Sequence, residues 1–237
     1  DWLSFFMFTF ITDRDGKYQL AALAESGFDP LSRTCRFMLT EEAHHMFVGE
    51  SGIARIIQRT CDAMKEHKTE DAARLRGLGV IDLPTLQKYL NFHYSVTSDL
   101  YGSEISSNAA SFYANGLKGR FEETKLADDH RLHGSEYPYM EVTGDQIVVN
   151  HAPALTALNE RLRDDWVTDV QAGVSRWNRI PEKAGIAFRF TLPHKGFHRR
   201  IGLFTEHHIS PDGKILSEAE WTRQHGAWLP TEEDRAY

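Results

Sequence analysis

Two overlapping Glu-x-x-His pairs lie in residues 39–46, whose sequence is Leu-Thr-Glu-Glu-Ala-His-His-Met. One pair is Glu41 with His44, and the other is Glu42 with His45. Residues three apart on a helix share a face, so either carboxylate and its imidazole could bind one metal ion. Helical bundles that hold two irons use such pairs together with carboxylates from neighbouring helices. The spacing therefore predicts a metal site on a helix.

Glu42 and His45 are the favoured pair, because the other residues three or four positions from Glu42 are apolar. Burying ionisable groups without partners costs on the order of several kcal/mol, and a bound metal would offset that cost. We therefore predict Glu42 and His45 as metal ligands and catalytic residues. Glu41 also borders apolar residues, so Glu41 or His44 is left to orient the ligands.

A first helix that packs antiparallel to this one would supply another carboxylate. If the two helices are joined by the turn at 27–30, residues near 13 to 15 lie level with residues 42 to 44. Asp13 is the predicted ligand at that level. Asp15 is the alternative, but it precedes Gly16 and is interpreted as part of a local break.

Two more carboxylate sources are expected further along the chain. Asp99 follows an apolar helical face and is the predicted ligand of a third helix, with Glu104 as its competitor. A fourth helix would complete the set with Asp129 and either His130 or His133, and Asp129 with His130 is the preferred choice. That segment lacks a Glu-x-x-His pair, so it departs from the usual pattern.

The elements that position these residues are mostly helices. Asp82 is a good N-cap with Pro84 in the following turn, and a Thr-Gly-Asp turn at 143–145 between β-rich runs indicates a hairpin. We predict a mainly α protein, a ferritin-like antiparallel helical bundle with a small β-hairpin and an irregular C-terminal extension. The bundle core is assigned to 1–137 and the remainder to 138–237. The predicted helices cover 2–26, 31–66, 82–116, 117–133 and 153–177, and the hairpin covers 139–149.

Composition narrows the class of protein. The 237 residues carry a net charge of -7, which argues against a nucleic-acid-binding protein. The apolar run at 2–11 is too short to span a bilayer, so no membrane association is expected. Cys35 and Cys61 lie far apart on one predicted helix and are expected to be reduced thiols of a cytoplasmic protein. Because residue 1 is Asp, we expect an N-terminal part to be missing.

Residues 40–46 resemble the Asp-Glu-x-Arg-His motif of bacterial multicomponent monooxygenases, in which the Glu and the final His are iron ligands. Those positions are Glu42 and His45 here. A more extensive resemblance is to the oxygenase components of benzoyl-CoA 2,3-epoxidases, a family of ferritin-like di-iron enzymes of aerobic benzoate degradation. The segments that carry it are 39–60, 91–131, 154–178 and 191–201.

The resemblance implies two iron ions held by Glu42 and His45, with Asp13 and Asp99 as further ligands. It also implies that O₂ and benzoyl-CoA are substrates, that the aromatic ring is epoxidised, and that an NADPH-dependent flavin/iron–sulfur reductase supplies electrons. The anionic coenzyme A part of the substrate requires a local basic site in a negatively charged chain. The densest basic run predicts Lys195, Arg199 and Arg200 for that role.

Other protein classes share parts of this pattern. One alternative is another ferritin-like di-iron protein, either for iron oxidation and storage or an aromatic monooxygenase with a different substrate. Ferritin subunits are compact bundles without the hairpin and long C-terminal extension. A radical-generating ribonucleotide reductase subunit needs a Tyr beside the irons, and the sequence alone places none there. In a non-enzymatic helical adaptor, the same Glu and His residues would be surface groups.

Overall fold

A computed structural model describes residues 2–128 and 132–236. Helices dominate it, and four long ones form the framework. The helices are α1 Trp2–Ala24, α2 Asp29–His67, α3 Ala72–Gly77, α4 Leu83–Ser98, α5 Ser107–Ala114, α6 Leu158–Ala184, α7 Glu218–Gln224 and α8 Glu232–Ala236. The strands are β1 Glu136–Thr143, β2 Gln146–Pro153, β3 His208–Ile209 and β4 Ile215–Leu216.

Helices α1 and α2 form an antiparallel hairpin across a short turn, as predicted. Gly16 of α1 lies against Glu42 of α2, whereas Phe10 lies against Gly49, so the contacts run in opposite directions along the two helices. Gly49 permits a very close approach, because a Cβ atom there would lie 2.4 Å from the Phe10 amide nitrogen. The hairpin therefore fixes the level at which α1 and α2 side chains meet.

Helix α4 begins where the sequence predicts and ends much earlier. The Asp82 side chain accepts a hydrogen bond from the Thr85 amide at 2.9 Å and caps the helix. The predicted helix over 82–116 is wrong, because α4 ends at Ser98 and Gly102 then adopts a φ of 82°. A positive φ is incompatible with a continuing right-handed helix. The chain resumes helical structure only in the short α5.

The predicted helix over 117–133 is also wrong in its described part. Residues 117–128 contain one short 3₁₀ turn, Glu123–Lys125. Arg120 organises this segment by pairing with Glu123 and with Asp128, whose carboxylate lies 2.6 Å from the guanidinium. Charge pairing therefore shapes a segment that the sequence pattern assigned to a helix.

The hairpin and the last long helix follow the prediction more closely. Strands β1 and β2 pair antiparallel, and Gly144 lies in the turn with a φ of 63°. Helix α6 buries Trp166 and Trp177 against the helical hairpin formed by α1 and α2. The Trp166 indole N–H donates to the Ile11 carbonyl at 3.2 Å. Helix α6 thus belongs to the same apolar core as α1, α2 and α4.

The predicted fold class is confirmed as a mainly helical protein with a small β-hairpin. After α6 the chain forms only short elements, as expected for the C-terminal extension. Cys35 and Cys61 are free and buried. Within residues 2–128 and 132–236, no helix combines the length and apolarity needed to cross a bilayer. The division at residue 137 stays a prediction.

Candidate metal centre

Three predicted ligands meet on the α1–α2 hairpin. Asp13 comes from α1, and Glu42 and His45 come from α2; one donor atom of each lies within 4.8 Å of the others. The Nδ1 atom of His45 is 3.5 Å from an Asp13 carboxylate oxygen and 4.0 Å from Oε2 of Glu42. Carboxylates and imidazoles at such spacing can converge on one divalent cation. Their role as metal ligands stays a prediction.

Gly16 gives Glu42 its place beside α1. The expected local break at this residue is wrong, because α1 continues through it to Ala24. A Cβ atom on Gly16 would lie 3.3 Å from Oε1 of Glu42, so a larger side chain would push the carboxylate away. A glycine one helical turn after Asp13 is a sequence signal for this close contact, although the sequence analysis interpreted it as part of a helix break.

The two acids of this cluster are poorly compensated. Oε2 of Glu42 is buried and has no hydrogen-bond partner among the described residues. Burial raises the pKa of Glu42, the negative charge of Asp13 raises it further, and His45 opposes the rise. Burial also raises the pKa of Asp13, again against His45. A bound cation would relieve both the desolvation and the repulsion.

Asp15 adds a further carboxylate close to the cluster. It is almost fully buried, and its Oδ1 atom also has no hydrogen-bond partner in the described part of the chain. Burial raises the pKa of Asp15 to about 6, and Tyr101, Gln19 and Lys118 oppose the rise. Its charge in turn raises the pKa of Glu42. The sequence analysis gave Asp15 as an alternative to Asp13, whereas the charges of both residues raise the pKa of Glu42.

The cluster is open on one side. The His45 side chain is 47% exposed, against 17% for Asp13 and 15% for Glu42. Glu41 and His44, considered for orienting the ligands, are exposed on α2. The imidazole therefore lies at the boundary between the buried acids and solvent.

Asp99 lies in a different environment from its predicted one. Its carboxylate accepts from the Arg199 guanidinium at 2.5 Å and from the Arg200 amide at 2.9 Å. Glu104, the competing candidate, accepts from Arg199 at 3.0 Å and from the Leu203 amide at 2.8 Å. The structure does not bring Asp99 or Glu104 to the cluster, because ion pairing satisfies both carboxylates elsewhere.

Of the remaining predicted ligands, His133 is the one that the structure describes, and it does not lie in the cluster. Asp129 and His130 lie outside the residues that the structure describes. His133 is exposed, next to Leu132 and Glu25 at the edge of a separate pocket. The helix expected to position these three residues is not formed in the described part of 117–133.

In the predicted phosphate site at 195–200, two of the three cationic side chains form ion pairs with carboxylates of the same chain. The Lys195 ammonium lies 2.6 Å from Glu160 and 2.5 Å from Asp164. Arg199 is buried and pairs with acids of the chain itself, so only Arg200 is exposed. Lys195 and Arg199 therefore link acids within the chain, and the role of Lys195, Arg199 and Arg200 in substrate binding stays a prediction.

Comparison with known proteins adds an independent line of evidence. Over all 237 residues, the chain is 76% identical to benzoyl-CoA oxygenase component B of Aromatoleum evansii. The resemblance to this oxygenase component is confirmed. The chain spans 50% of the length of that relative, and the aligned half includes every residue of the cluster. No family model matches the chain.

Proposed function

We propose that the chain is the metal-binding part of a benzoyl-CoA oxygenase component that epoxidises the aromatic ring. The observation that carries this proposal is the convergence of Asp13, Glu42 and His45 within 4.8 Å, with a buried and unpartnered oxygen on Glu42. The name of the 76% identical relative supports the substrate class.

The donor set fits iron. Carboxylate-rich sites with few imidazoles suit non-haem iron, which changes oxidation state during turnover. Asp13, Glu42 and His45 would hold one ion. A second ion of a di-iron centre would need further donors, and Asp15 is a nearby carboxylate with an unpartnered oxygen. Iron bound here supplies the activation of O₂.

The protein residues have separate tasks in this proposal. Asp13 and Glu42 hold negative charge in a partly dehydrated site, which favours a cation over water. His45 lies at the solvent side, where O₂ and an apolar ring can approach. An NADPH-dependent flavin/iron–sulfur reductase would supply the two electrons that, together with two protons from solvent, convert the second oxygen atom into water.

The metal assignment has matched controls in the overlapping Glu-x-x-His pairs. We expect Glu42→Ala and His45→Ala to lose most of the iron that the intact protein binds. Glu41→Ala and His44→Ala remove the same groups from exposed neighbouring positions and should retain it. Iron is measured on purified protein by elemental analysis. Equal iron content in all four variants would refute the proposed site.

The activity is tested separately from metal binding. The iron-loaded protein, its reductase, NADPH and O₂ should convert benzoyl-CoA into a product heavier by one oxygen atom. Mass spectrometry with ¹⁸O₂ identifies the source of that atom. A product that carries unlabelled oxygen from water would contradict the oxygenase activity, and iron uptake without substrate oxidation would favour an iron-storage protein instead.

A further inference from the structure

A second candidate site lies beside the metal centre, between α1, α2 and the loop at 79–81. It is an open pocket of about 470 Å³, within the size range of small-molecule sites. Gly52 makes room for it by letting the Phe6 ring lie on the α2 backbone, since a Cβ atom there would meet that ring at 2.4 Å. Its apolar lining comes from Phe6, Phe47, Val48, Ile56, Val80 and Ile81.

Two arginines line this pocket and have no acidic partner. Arg55 and Arg59 are exposed and lie one turn apart on α2. Across residues 2–128 and 132–236, neither guanidinium forms an ion pair or a side-chain hydrogen bond. Other arginines near the core, such as Arg14 and Arg163, are paired with carboxylates. Arg55 and Arg59 are therefore available to bind an external anion.

The pocket follows the candidate metal centre along α2. Val48, Gly52 and Arg59 follow His45 by three, seven and fourteen residues, so they lie on the same stripe of α2. At 1.5 Å per residue, Arg55 and Arg59 lie about 15 and 21 Å from His45 along the helix axis. A ligand along this stripe would meet the cluster at one end and two positive charges at the other.

We propose that this pocket binds the phosphorylated carrier arm of an aryl thioester, with Arg55 and Arg59 holding its phosphates. The apolar wall accommodates the uncharged arm, and the guanidiniums match phosphate oxygens in charge and geometry. This inference rests on the proposed function and assigns the anion-binding role to residues other than the internally paired Lys195 and Arg199.

The experiment compares three ligands on the intact, iron-loaded protein by calorimetry. Benzoyl-CoA carries both parts, coenzyme A lacks the ring, and benzoyl-N-acetylcysteamine lacks the phosphates. The double variant Arg55→Glu/Arg59→Glu should bind benzoyl-CoA and coenzyme A at least about tenfold more weakly. Its affinity for the phosphate-free thioester should be unchanged.

A matched control carries the same charge change away from the pocket. Arg179 and Arg223 are exposed on α6 and α7, and Arg179→Glu/Arg223→Glu should leave all three affinities unchanged. A second variant, Ser51→Trp, fills the pocket and should weaken benzoyl-CoA binding without altering the two arginines. Equal losses in both double variants, or none in either, would overturn the assignment.

Iron content separates this inference from the proposed function. Neither double variant alters the cluster, so both should retain the iron of the wild type. If wild-type protein binds iron and oxidises benzoyl-CoA while Arg55→Glu/Arg59→Glu keeps full affinity, the pocket assignment fails alone. A pocket covered by another protein segment would give that result. Loss of iron-dependent oxidation in the wild type would overturn the proposed function itself.

Discussion

Two of the groups of acidic residues in this protein have very different partners. The candidate metal centre consists of Asp13, Glu42 and His45 on two adjacent helices. The second group, called here the paired network, joins residues far apart in sequence. It consists of Asp99, Glu104, Glu160, Arg163, Lys195 and Arg199. In this network every carboxylate contacts a cation, whereas in the candidate metal centre the described residues supply one partly exposed imidazole for two acids.

The pKa directions follow from this difference. Burial alone would raise the pKa of Glu160, but the charges of Arg163 and Lys195 outweigh burial and lower it. The pKa of Glu42 is raised, because burial and Asp13 act together against His45 alone. A satisfied buried acid supports the fold, whereas an unsatisfied one costs stability until a ligand arrives. The presence or absence of cationic partners thus distinguishes carboxylates that support the fold from carboxylates that are candidate metal ligands.

The largest effect should come from the paired network. Glu104 is 1% exposed and faces both Arg163 and Arg199. Glu104→Ala leaves two buried guanidiniums without this partner, and we expect a loss of about 3–5 kcal/mol in unfolding free energy. Chemical denaturation measures it. The exposed control Glu41→Ala should stay within about 0.5 kcal/mol of wild type, and a similarly small loss for Glu104→Ala would contradict the structural role.

The next effect tests the metal centre by ligand linkage. Ferrous iron at 100 times its dissociation constant should stabilise the anaerobic wild-type protein by about 2.7 kcal/mol. The increment should vanish in Glu42→Gln, which keeps the shape of the side chain but removes its charge. Thermal or denaturant unfolding with and without iron measures both. An increment that survives in Glu42→Gln would place the bound iron elsewhere.

The sequence predicted those features that depend on neighbouring residues. The cap at Asp82 and the turn at Gly144 depend on a few adjacent positions, and both are present. The level of Asp13 with Glu42 depends on one short turn and the helical rise, so it was also predictable. The last of these features carries the part of the predicted site that the structure brings together.

Long-range pairing was not predictable from the same pattern. The sequence places Asp99 on a helical face with apolar residues, and this pattern is the same whether the partner of Asp99 is a metal or an arginine. The observed partner, Arg199, is one hundred residues away in the sequence. Helical periodicity also continued past Gly102, where the positive φ ends the helix region. The sequence therefore identified the right residue types but could not assign their partners.

A pH-dependent prediction distinguishes the two groups by sign. Glu160→Gln should destabilise the protein by about 2 kcal/mol at pH 7, because it removes a buried charge that pairs with Arg163 and Lys195. The folded-state pKa of Glu160 lies below its ordinary value of 4.5. Its contribution is therefore complete above pH 4.5 and is lost as the pH falls through the folded-state value. Denaturation at pH 7 and below pH 4 should show the deficit shrink; a constant deficit would contradict the pairing.

The smallest effect has the opposite sign. In metal-free protein, Glu42→Gln should raise the unfolding free energy at pH 8 by about 1 kcal/mol or less, since it removes a buried charge repelled by Asp13. The folded-state pKa of Glu42 lies above its ordinary value of 4.5, so the native state binds more protons and wild-type stability falls as the pH rises between the two values. The gain should therefore disappear below pH 4.5. Denaturation of wild type and variant at both pH values, with chelator present, measures the difference. A loss of stability at pH 8 would mean that the Glu42 charge is compensated without metal, as in the paired network.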